Sequence, residues 1–573
     1  MRCALFARAL PPMLTGASHN WVRTLSSPSQ RRGRYVFGLS KVIKDCLSIE
    51  EVEALRSTLQ PPLTAVKWNH LATAYANVGH LERALSIPDD MKRDGVQPDV
   101  HTYSRLITAC QKEGEWEHAL SLLEEMHKAG VPPNVMSFSA AISACAKGGQ
   151  WERALSLLDE MRQEGVAPNV YSFSAAISAC EKGGRWQRAL SLLDEMQREG
   201  VEPNAISFNA AISACEKGGQ WERALSLLEE MRGPNVAPDV YSFSAAISAC
   251  ARGAQWELAL TLLDKMRDEG VAPNRHTFAS AIAACASGGQ WELAVSLLDE
   301  MQREGVEPNE NSFSAAISAC EKGGQWERAV SLLNEMREAG LAPDIYSFSA
   351  AISACEKGGQ WERALTLLDE MRASDVIPNV YSFNAAISAC EKAGQWERAT
   401  SLLDDMFATN VTPDVYSFSA AIQACAAGRQ PAVALRIFEA ADSAVELNRV
   451  TTNAVLDAIC AFDPTRAREL WRRGIEQGLY PVVERAEGRM PMLDLHDHSE
   501  GAAETAVRWW LEERVPALMP PADKLVIITG YGKSREAHQT TDVRGRVIQV
   551  VQEMGMLALQ AAGNPGRLEI SRA

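Results

Sequence analysis

Residues 170–204 read VYSFSAAISACEKGGRWQRALSLLDEMQREGVEPN, and this stretch decides the fold. The apolar residues of its first half fall at i, i+3, i+4 and i+7, at Phe173, Ala176, Ile177 and Cys180. That spacing forms the apolar stripe of an amphipathic helix. A glycine pair at 183–184 ends this helix, and a second stripe runs from Trp186 until Pro203 forbids its continuation. The stretch therefore predicts a hairpin of two helices.

The same pattern recurs along the chain with a period of 35 residues. Tryptophan marks it in successive copies, at Trp116, Trp151, Trp186, Trp221, Trp256, Trp291, Trp326, Trp361 and Trp396. One hairpin of this size cannot bury both of its apolar stripes, so neighbouring hairpins must stack. We therefore predict a mainly α protein, built as an α-solenoid of 35-residue helical hairpins.

The cysteines follow the repeat and do not form a disulfide framework. Eleven of the thirteen share the 35-residue period, at Cys110, Cys145, Cys180, Cys215, Cys250, Cys285, Cys320, Cys355, Cys390, Cys425 and Cys460. Equivalent positions in stacked repeats lie roughly 10 Å apart, too far for a disulfide. The sequence has no Cys-x-x-Cys pair for zinc. We expect reduced thiols that pack in the core.

The N-terminal 44 residues contain no acidic residue and eight basic ones, which is the composition of an organelle transit peptide. The alternative is a disordered basic arm of the mature protein. No apolar run approaches the roughly 20 residues of a membrane span, so we expect a soluble protein without membrane contact. The net charge of −16 is unfavourable for binding nucleic acid, unless the acidic residues face away from the ligand.

The period of 35, the Tyr-Ser-Phe-Ser opening and the Val-Ala-Pro-Asn ending resemble the pentatricopeptide repeat family, over residues 65 to about 484. The resemblance implies a right-handed superhelix that binds single-stranded RNA, typically one base per repeat, read by the fifth and last residues of each repeat. We expect a cap or linker at 45–64, about eleven repeats at 65–449 and a degenerate capping repeat at 450–484.

By this resemblance, the paired residues imply an RNA sequence. Asn69 with Asp99, Asn209 with Asp239 and Asn384 with Asp414 would read uridine. Ser104 with Asn134, Ser139 with Asn169, Ser174 with Asn204, Ser244 with Asn274 and Ser349 with Asn379 would read adenine. Ser314 with Asp344 would read guanine, whereas Ala279 with Asn309 and Ser419 with Arg449 depart from the pattern. The implied target is U-A-A-A-U-A-N-G-A-U.

The last residue of each repeat also has a purely structural interpretation. Asn and Asp directly before a helix are favoured N-caps, whatever the ligand. Capping does not explain why these positions alternate between Asn and Asp in otherwise near-identical repeats. Ser hydroxyl, Asn amide and Asp carboxylate are complementary to base edges. Ser174, next to Phe173, is expected to lie off the packing stripe.

Beyond residue 490 the pattern changes to short strands and helices, which predicts a small α/β domain at 490–573. Its Leu-Asp-Leu-His segment places Asp494 and His496 on one face of a strand. A second strand, Leu525–Thr529, leads into a glycine loop with two cations, at Gly530, Gly532, Lys533 and Arg535. That loop is not a nucleotide-binding P-loop, because Ile527 stands where the motif requires glycine.

The Leu-Asp-Leu-His and Thr-Gly-Tyr-Gly segments resemble the small MutS-related (Smr) domain, whose members bind nucleic acid and in some cases cleave it. The resemblance implies that Asp494 and His496 lie near the scissile phosphate and that Gly530, Gly532, Lys533 and Arg535 hold the phosphate backbone. Family members often carry glycine after the histidine, where this chain has Asp497. The domain could therefore cleave RNA or only bind it.

Three functions follow. The first is sequence-specific binding of single-stranded RNA in organellar RNA processing, stabilisation or translation. The second is a site-specific endoribonuclease, with His496 as general base and Asp494 orienting it or holding a divalent metal. The third is a peptide-binding scaffold, like other helical solenoids. We expect no cofactor and no resident metal otherwise, and an organellar location, in the chloroplast rather than the mitochondrion.

Overall fold

The computed structural model describes residues 48–59, 63–233, 236–444, 448–480, 483–487, 490–496, 498–518, 525–529, 542–561 and 566–572. Two compact units make up the chain. Unit 1 comprises Met1–Gly253 and Thr261–Ala272, and unit 2 comprises Ala254–Leu260 and Pro273–Ala573. The predicted transit peptide at 1–44 and the glycine loop at 530–535 lie outside the described residues.

Unit 1 is a stack of helical hairpins. Its helices are α1 (Ile49–Thr58), α2 (Ala65–Asn77), α3 (Leu81–Leu85), α4 (Ile87–Arg93), α5 (Val100–Glu113), α6 (Trp116–Lys128), α7 (Val135–Lys147), α8 (Trp151–Gln163), α9 (Val170–Lys182), α10 (Trp186–Arg198), α11 (Ala205–Lys217), α12 (Trp221–Glu230) and α13 (Val240–Arg252). The next helix, α14 (Trp256–Asp268), is divided between the two units.

Unit 2 continues the same hairpins. Its further repeat helices are α15 (Arg275–Ser287), α16 (Trp291–Arg303), α17 (Glu310–Lys322), α18 (Trp326–Glu338), α19 (Ile345–Lys357), α20 (Trp361–Ala373), α21 (Val380–Lys392), α22 (Trp396–Ala408), α23 (Val415–Ala427), α24 (Pro431–Ala444), α25 (Arg449–Ile459) and α26 (Pro464–Glu476). None of the helices in the described part of the chain is long and apolar enough to cross a membrane.

Local signals set the ends of both helices in each hairpin. At the start of α9, Asn169 accepts a hydrogen bond from the backbone N–H of Ser172 at 3.0 Å, and Ser172 returns a bond in a capping box. The helix stops at Lys182, after which Gly184 adopts a left-handed φ of +66°. That conformation costs glycine little, so the chain reverses tightly into α10.

The core of the repeats lies between successive first helices and the apolar faces of the second helices, where Leu158 and Met161 are also buried. In α9, Phe173, Ile177 and Cys180 are fully buried, and α9 packs against both α7 and α11. Trp151 covers the end of the next first helix, where a Cβ atom added to Gly183 would lie 2.5 Å from its Cδ1 atom. The first glycine of the Gly-Gly pair thus makes room for the tryptophan of the preceding repeat, and the second makes the turn.

The periodic cysteines lie in this core. The ten from Cys110 to Cys425 are buried and form no disulfide, as predicted, while Cys460 is half-exposed. Burial raises the pKa of Cys320 and of most of its equivalents to about 11, and that of Cys110 to about 12. A thiol with so high a pKa stays protonated at neutral pH and behaves as a small apolar side chain.

The C-terminal region of unit 2 is a small α/β fold. Its elements are β1 (Glu484–Glu487), β2 (Met490–Asp494), α27 (Glu500–Trp509), a π-helical turn (Trp510–Arg514), α28 (Val515–Leu518), β3 (Leu525–Ile528), α29 (Val543–Glu553), β4 (Met556–Gln560) and β5 (Arg567–Arg572). The strand order is β1-β2-β3-β5-β4. Only β2 and β3 are parallel, with Met492 opposite Val526, and the other neighbouring pairs are antiparallel.

An aromatic cluster joins this region to the last hairpin. The ring of Trp471, in α26, lies 4.4 Å from that of Tyr480 and 5.3 Å from that of His498. Arg468 and Arg472 of the same helix form ion pairs with Glu512 and Glu513. The predicted fold class, a mainly helical repeat array followed by a small α/β region, is confirmed.

Candidate nucleic-acid interface

The fifth and last residues of individual repeats lie side by side, although 30 residues separate them in sequence. The measured contacts are Asn69 Nδ2 to Asp99 Oδ1 at 3.2 Å, Ser139 Oγ to Asn169 Oδ1 at 3.4 Å, Ser174 Oγ to Asn204 Oδ1 at 3.4 Å, Asn209 Nδ2 to Asp239 Oδ1 at 3.1 Å, Ser314 Oγ to Asp344 Oδ1 at 3.5 Å and Asn384 Nδ2 to Asp414 Oδ1 at 3.0 Å. The fifth residue belongs to one first helix and the last residue directly precedes the next first helix, so stacking of the hairpins creates each pair. Ser244 and Asn274 belong to different units.

Every last residue of this series is also an N-cap. Oδ1 of Asn204 accepts the backbone N–H of Ser207 at 3.0 Å, and Oδ1 of Asp344 accepts that of Ser347 at 2.9 Å. The same bond recurs at the caps Asp99, Asn134, Asn169, Asp239, Asn274, Asn309, Asn379 and Asp414. The interpretation of these residues as helix N-caps is therefore correct, but capping uses only the Oδ1 atom of each side chain.

The second polar atom distinguishes the Asn from the Asp repeats. With Oδ1 held by the cap, Asn204 offers its Nδ2 amide as a hydrogen-bond donor, and Asp344 offers Oδ2 as an acceptor. At Asp99, desolvation raises the pKa, but hydrogen bonds from Thr102 and Asn69 outweigh it and lower the pKa below its usual value. That carboxylate is therefore ionised at neutral pH and can only accept.

The fifth-position serines are less accessible than the sequence suggested. Ser174 is only 5 % exposed, so the expectation that it lies off the packing face is wrong. The neighbouring first helix covers it, and its hydroxyl donates to the carbonyl of Val170 at 2.7 Å. Ser104 and Ser349 donate in the same way to Val100 and Ile345. The single hydrogen of each of these hydroxyls is therefore used within its own helix and is not offered to solvent.

A further set of residues, which the sequence analysis did not single out, lies at the second position of each repeat. Five of these residues are tyrosines with 56–76 % of their surface exposed, at Tyr171, Tyr241, Tyr346, Tyr381 and Tyr416. The backbone N–H of Tyr171 donates to Asn169 Oδ1 at 3.0 Å, so this tyrosine lies next to the last residue of the preceding repeat. The available signal was a tyrosine at the second position of five repeats, outside the apolar stripe.

A groove of about 730 Å³ follows the same residues in unit 2. Its walls are formed around the repeat at 275–309. They include Asn274, which caps the first helix of this repeat, and the second, fifth and last residues of the repeat, His276, Ala279 and Asn309. Ala279 replaces the usual serine or asparagine and leaves that pair without a polar fifth residue. The surface beside the paired residues is therefore concave at this repeat.

The charged residues form ion pairs between repeats. Lys357 of one first helix lies 2.9 Å from Glu321 of the preceding one, and Lys217 lies 2.8 Å from Glu181. Among second helices, Arg337 reaches Glu370 at 2.9 Å. These cations are compensated within the chain, so the repeats offer polar and aromatic groups to a ligand more than a basic surface.

In the C-terminal region, the structure brings Asp494 and His496 together at the end of β2. The imidazole Nδ1 of His496 lies 2.5 Å from Asp494 Oδ1, and the same oxygen accepts the His496 backbone N–H at 3.1 Å. Asp494 is 5 % exposed, whereas the His496 side chain is 57 % exposed. A buried carboxylate thus orients an exposed imidazole. Gly530, Gly532, Lys533, Arg535 and Asp497 lie outside the described residues.

Models of one repeat family match most of the helical part. The "Pentacotripeptide-repeat region of PRORP" matches residues 138–292 and 237–415, the "Pentatricopeptide repeat domain" matches 86–148 and 401–461, and the "PPR repeat" matches 66–96. The matched segments overlap and run together from 66 to 461. No protein of curated function matches the sequence.

Solved structures of low sequence identity resemble this chain to different extents, and PPR10 from maize shows the same fold. PPR10 from maize is 20% identical with a TM-score of 0.51, over 84% of this chain and 73% of that chain. PPR10 in complex with an 18-nt psaJ RNA element is 20% identical with a TM-score of 0.46, over 90% and 86%. The PPR domain of Arabidopsis thaliana PRORP1 in complex with tRNA is 18% identical with a TM-score of 0.28, over 33% and 95%. The family models, whose matches run together over residues 66–461, show that the helical repeats of this chain belong to the pentatricopeptide repeat family.

Proposed function

We propose that the repeats bind single-stranded RNA in a sequence-specific manner, one base per repeat, and that the target contains U-A-A-A-U-A-N-G-A-U. One observation carries the proposal: from Asp99 to Asp414 the cap holds Oδ1 of the last residue, which leaves the second polar atom as a donor in Asn and as an acceptor in Asp, although Oδ2 of Asp239 also accepts from Asn209 at 3.2 Å. If these residues served only to stack the hairpins, the alternation between Asn and Asp at the last position would have no function.

The chemistry of the free atom matches the proposed bases. The carboxylate of Asp344 can accept the ring N–H of guanine, and those of Asp99, Asp239 and Asp414 can accept the ring N–H of uracil. The amide of Asn204 can donate to the unprotonated ring nitrogen of adenine. The fifth residue then separates purine from pyrimidine, with serine in the proposed purine repeats and the larger asparagine in the uridine repeats.

The exposed second-position rings supply affinity that does not depend on sequence. A base stacked on an aromatic side chain contributes about 1–3 kcal/mol. Because stacking needs little positive charge, it accommodates a chain with a net charge of −16. We expect a correspondingly weak dependence of binding on salt, compared with proteins that rely on phosphate contacts.

The test is binding of labelled RNA to the chain lacking residues 1–44. Fluorescence anisotropy should show stronger binding to U-A-A-A-U-A-N-G-A-U than to a scrambled RNA of equal composition. Equal affinity for the two RNAs would contradict base reading and would favour a scaffold that binds peptides. As a further part of the proposal, the protein acts in an organelle, in the chloroplast rather than the mitochondrion, which import of the N-terminal 44 residues fused to a fluorescent protein would test.

The second candidate function is a site-specific endoribonuclease, in which the C-terminal region acts as an Smr-like nuclease. The exposed imidazole of His496, oriented by the buried carboxylate of Asp494, favours it, because this arrangement suits a general base that must reach the substrate. Cleavage of the bound RNA by the wild type, and its loss in His496→Ala at unchanged RNA affinity, would establish it. Intact RNA with both proteins would leave binding alone as the function.

A further inference from the structure

The junction between the eleventh and twelfth repeats departs from the 35-residue period. Counting in steps of 35 places the last residue of the eleventh repeat at Arg449. In the structure, Arg449 is instead the first residue of α25, and Asn448 is the N-cap before it. Oδ1 of Asn448 accepts the backbone N–H of Thr451 at 2.9 Å, which is the bond that the earlier last residues make. The first helices α23 and α25 therefore begin one residue closer in sequence than the other neighbouring first helices do.

The buried face of α25 shows the same shift. If the twelfth repeat begins with the first residue of α25, the positions of the apolar stripe are Thr452, Val455, Leu456 and Ile459, and all four are buried. If it begins one residue later, the stripe includes Cys460, which is half-exposed. The shift also explains why Cys460 differs from the other periodic cysteines, because Ile459 occupies the buried position in its place.

The contact of the fifth residue with the next repeat agrees with this frame. In the eighth repeat, the hydroxyl oxygen of Ser314 lies 3.3 Å from that of Ser347, the third residue of the following repeat. In the eleventh repeat, the hydroxyl oxygen of Ser419 lies 2.7 Å from that of Thr451. Thr451 is the third residue only if the twelfth repeat begins with the first residue of α25. Stacking of the two hairpins thus pairs Ser419 with Asn448.

Ser419 and Asn448 have the same features as the earlier pairs of serine and asparagine. Ser419 is buried, and its hydroxyl donates to the carbonyl of Val415 at 2.7 Å, as Ser174 does within its own helix. Asn448 is exposed, and its Oδ1 is held by the cap. Among the described contacts of the chain, none engages its Nδ2 amide. This pair therefore offers a ligand the same hydrogen-bond donor as Asn204 does.

We propose that Ser419 and Asn448 form an eleventh base-reading pair, which places adenine at an eleventh position of the RNA. The inference rests on the proposed function, because it uses the same assignment of serine with asparagine to adenine. The Nδ2 amide of Asn448 donates to the unprotonated ring nitrogen of the base. The target then reads U-A-A-A-U-A-N-G-A-U-A, and Arg449 takes no part in base reading.

The series of reading pairs ends at this repeat. The fifth residue of the twelfth repeat is Asn453, whose Oδ1 accepts a hydrogen bond from the hydroxyl of Tyr480 at 2.7 Å. The last position of that repeat is occupied by Val483, which is buried. An apolar side chain offers a base edge neither a donor nor an acceptor. We therefore expect no base preference at a twelfth position of the RNA.

The experiment is fluorescence anisotropy of the full chain with four RNAs that carry the ten-base target followed by A, G, C or U. The wild type should bind the RNA with adenine at the eleventh position about two- to tenfold more tightly than the RNA with guanine, which is the range of one neutral hydrogen bond. Asn448→Asp should prefer guanine there by roughly tenfold or more, because its free oxygen is a charged acceptor. Folding should be retained, since Asp414 caps α23 with the same bond.

The matched control is Arg449→Asn, at the residue that the period assigns. This variant loses one cation, so it should bind all four RNAs more weakly by the same factor and keep the preference for adenine. An eleventh-base preference that appears or changes only in Arg449→Asn, and not in Asn448→Asp, would overturn the assignment of Asn448.

RNAs altered at the eighth base, tested in the same assay, separate this inference from the proposed function. A preference for guanine at the eighth base, with equal binding of all four RNAs at the eleventh, would overturn the eleventh pair and leave the proposed function standing. Equal binding at both positions would overturn both. Preferences at both positions, with a change at the eleventh alone in Asn448→Asp, are the result we expect.

Discussion

Replacement of Asp344 by asparagine should change which base the eighth repeat prefers. Oδ1 of Asp344 caps α19, and the described contacts leave Oδ2 as a free acceptor. In Asp344→Asn the cap oxygen is retained and the free atom becomes a donor. The repeat then has the Ser/Asn pair found at Ser174 and Asn204, which we propose reads adenine.

The magnitude follows from one hydrogen bond. A bond to a charged group contributes about 1.5–3 kcal/mol, which corresponds to roughly 10- to 150-fold in affinity. We expect the wild type to prefer guanine over adenine at the eighth position of the RNA by a factor in this range. Asp344→Asn should reverse the preference, because its amide opposes the guanine N–H and complements the adenine ring nitrogen.

The assay is fluorescence anisotropy with four RNAs that differ only at the eighth base. Stability should not change, because asparagine caps the equivalent helices α9 and α11 with the same hydrogen bond. The reciprocal variant, Asn204→Asp, should convert the fourth position from adenine to guanine. An equal loss of affinity for all four RNAs, or an unchanged preference, would refute base reading by the last residue.

Three other predictions concern the rings, the buried histidine and the thiols. Tyr346→Ala should weaken RNA binding by about 1–3 kcal/mol without changing base preference, and a changed preference would show that the ring reads bases. Burial lowers the pKa of His498 below 6.5, so the unfolded state binds more protons than the folded state. The melting temperature of unit 2 should therefore fall as the pH drops below about 6.5, and His498→Phe should remove this dependence. Because the periodic cysteines from Cys110 to Cys425 are buried and burial raises their pKa to about 11 or 12, thiol reagents should label them only on unfolding, and rapid labelling of the native protein would contradict the buried core.

The repeat architecture could be predicted because one spacing rule is applied many times. Phe173, Ile177 and Cys180 were assigned to one helix face from their spacing, and they are fully buried in the structure. The capping role of Asn169 also follows from its place before the helix. Both conclusions depend only on local sequence, and repetition every 35 residues removes most of their ambiguity.

The contacts between repeats could not be predicted in the same way. Burial of Ser174 depends on how closely the next first helix approaches, which spacing within one helix does not determine. The period placed the last residue of the eleventh repeat at Arg449, whereas the cap of α25 and its contact with the preceding first helix identify Asn448. The sequence predicted that Asp494 and His496 lie on one face of a strand, but β2 ends at Asp494, and the two side chains meet because of how the chain turns after it.

The most direct test of the account is selection from a random RNA library by the chain lacking residues 1–44, followed by sequencing of the bound fraction. The account predicts one enriched motif, U-A-A-A-U-A-N-G-A-U, with no preference at the seventh position, where Ala279 stands in the repeat. Enrichment without a motif, or a motif that does not follow the order of Asn and Asp along the repeats, would contradict it.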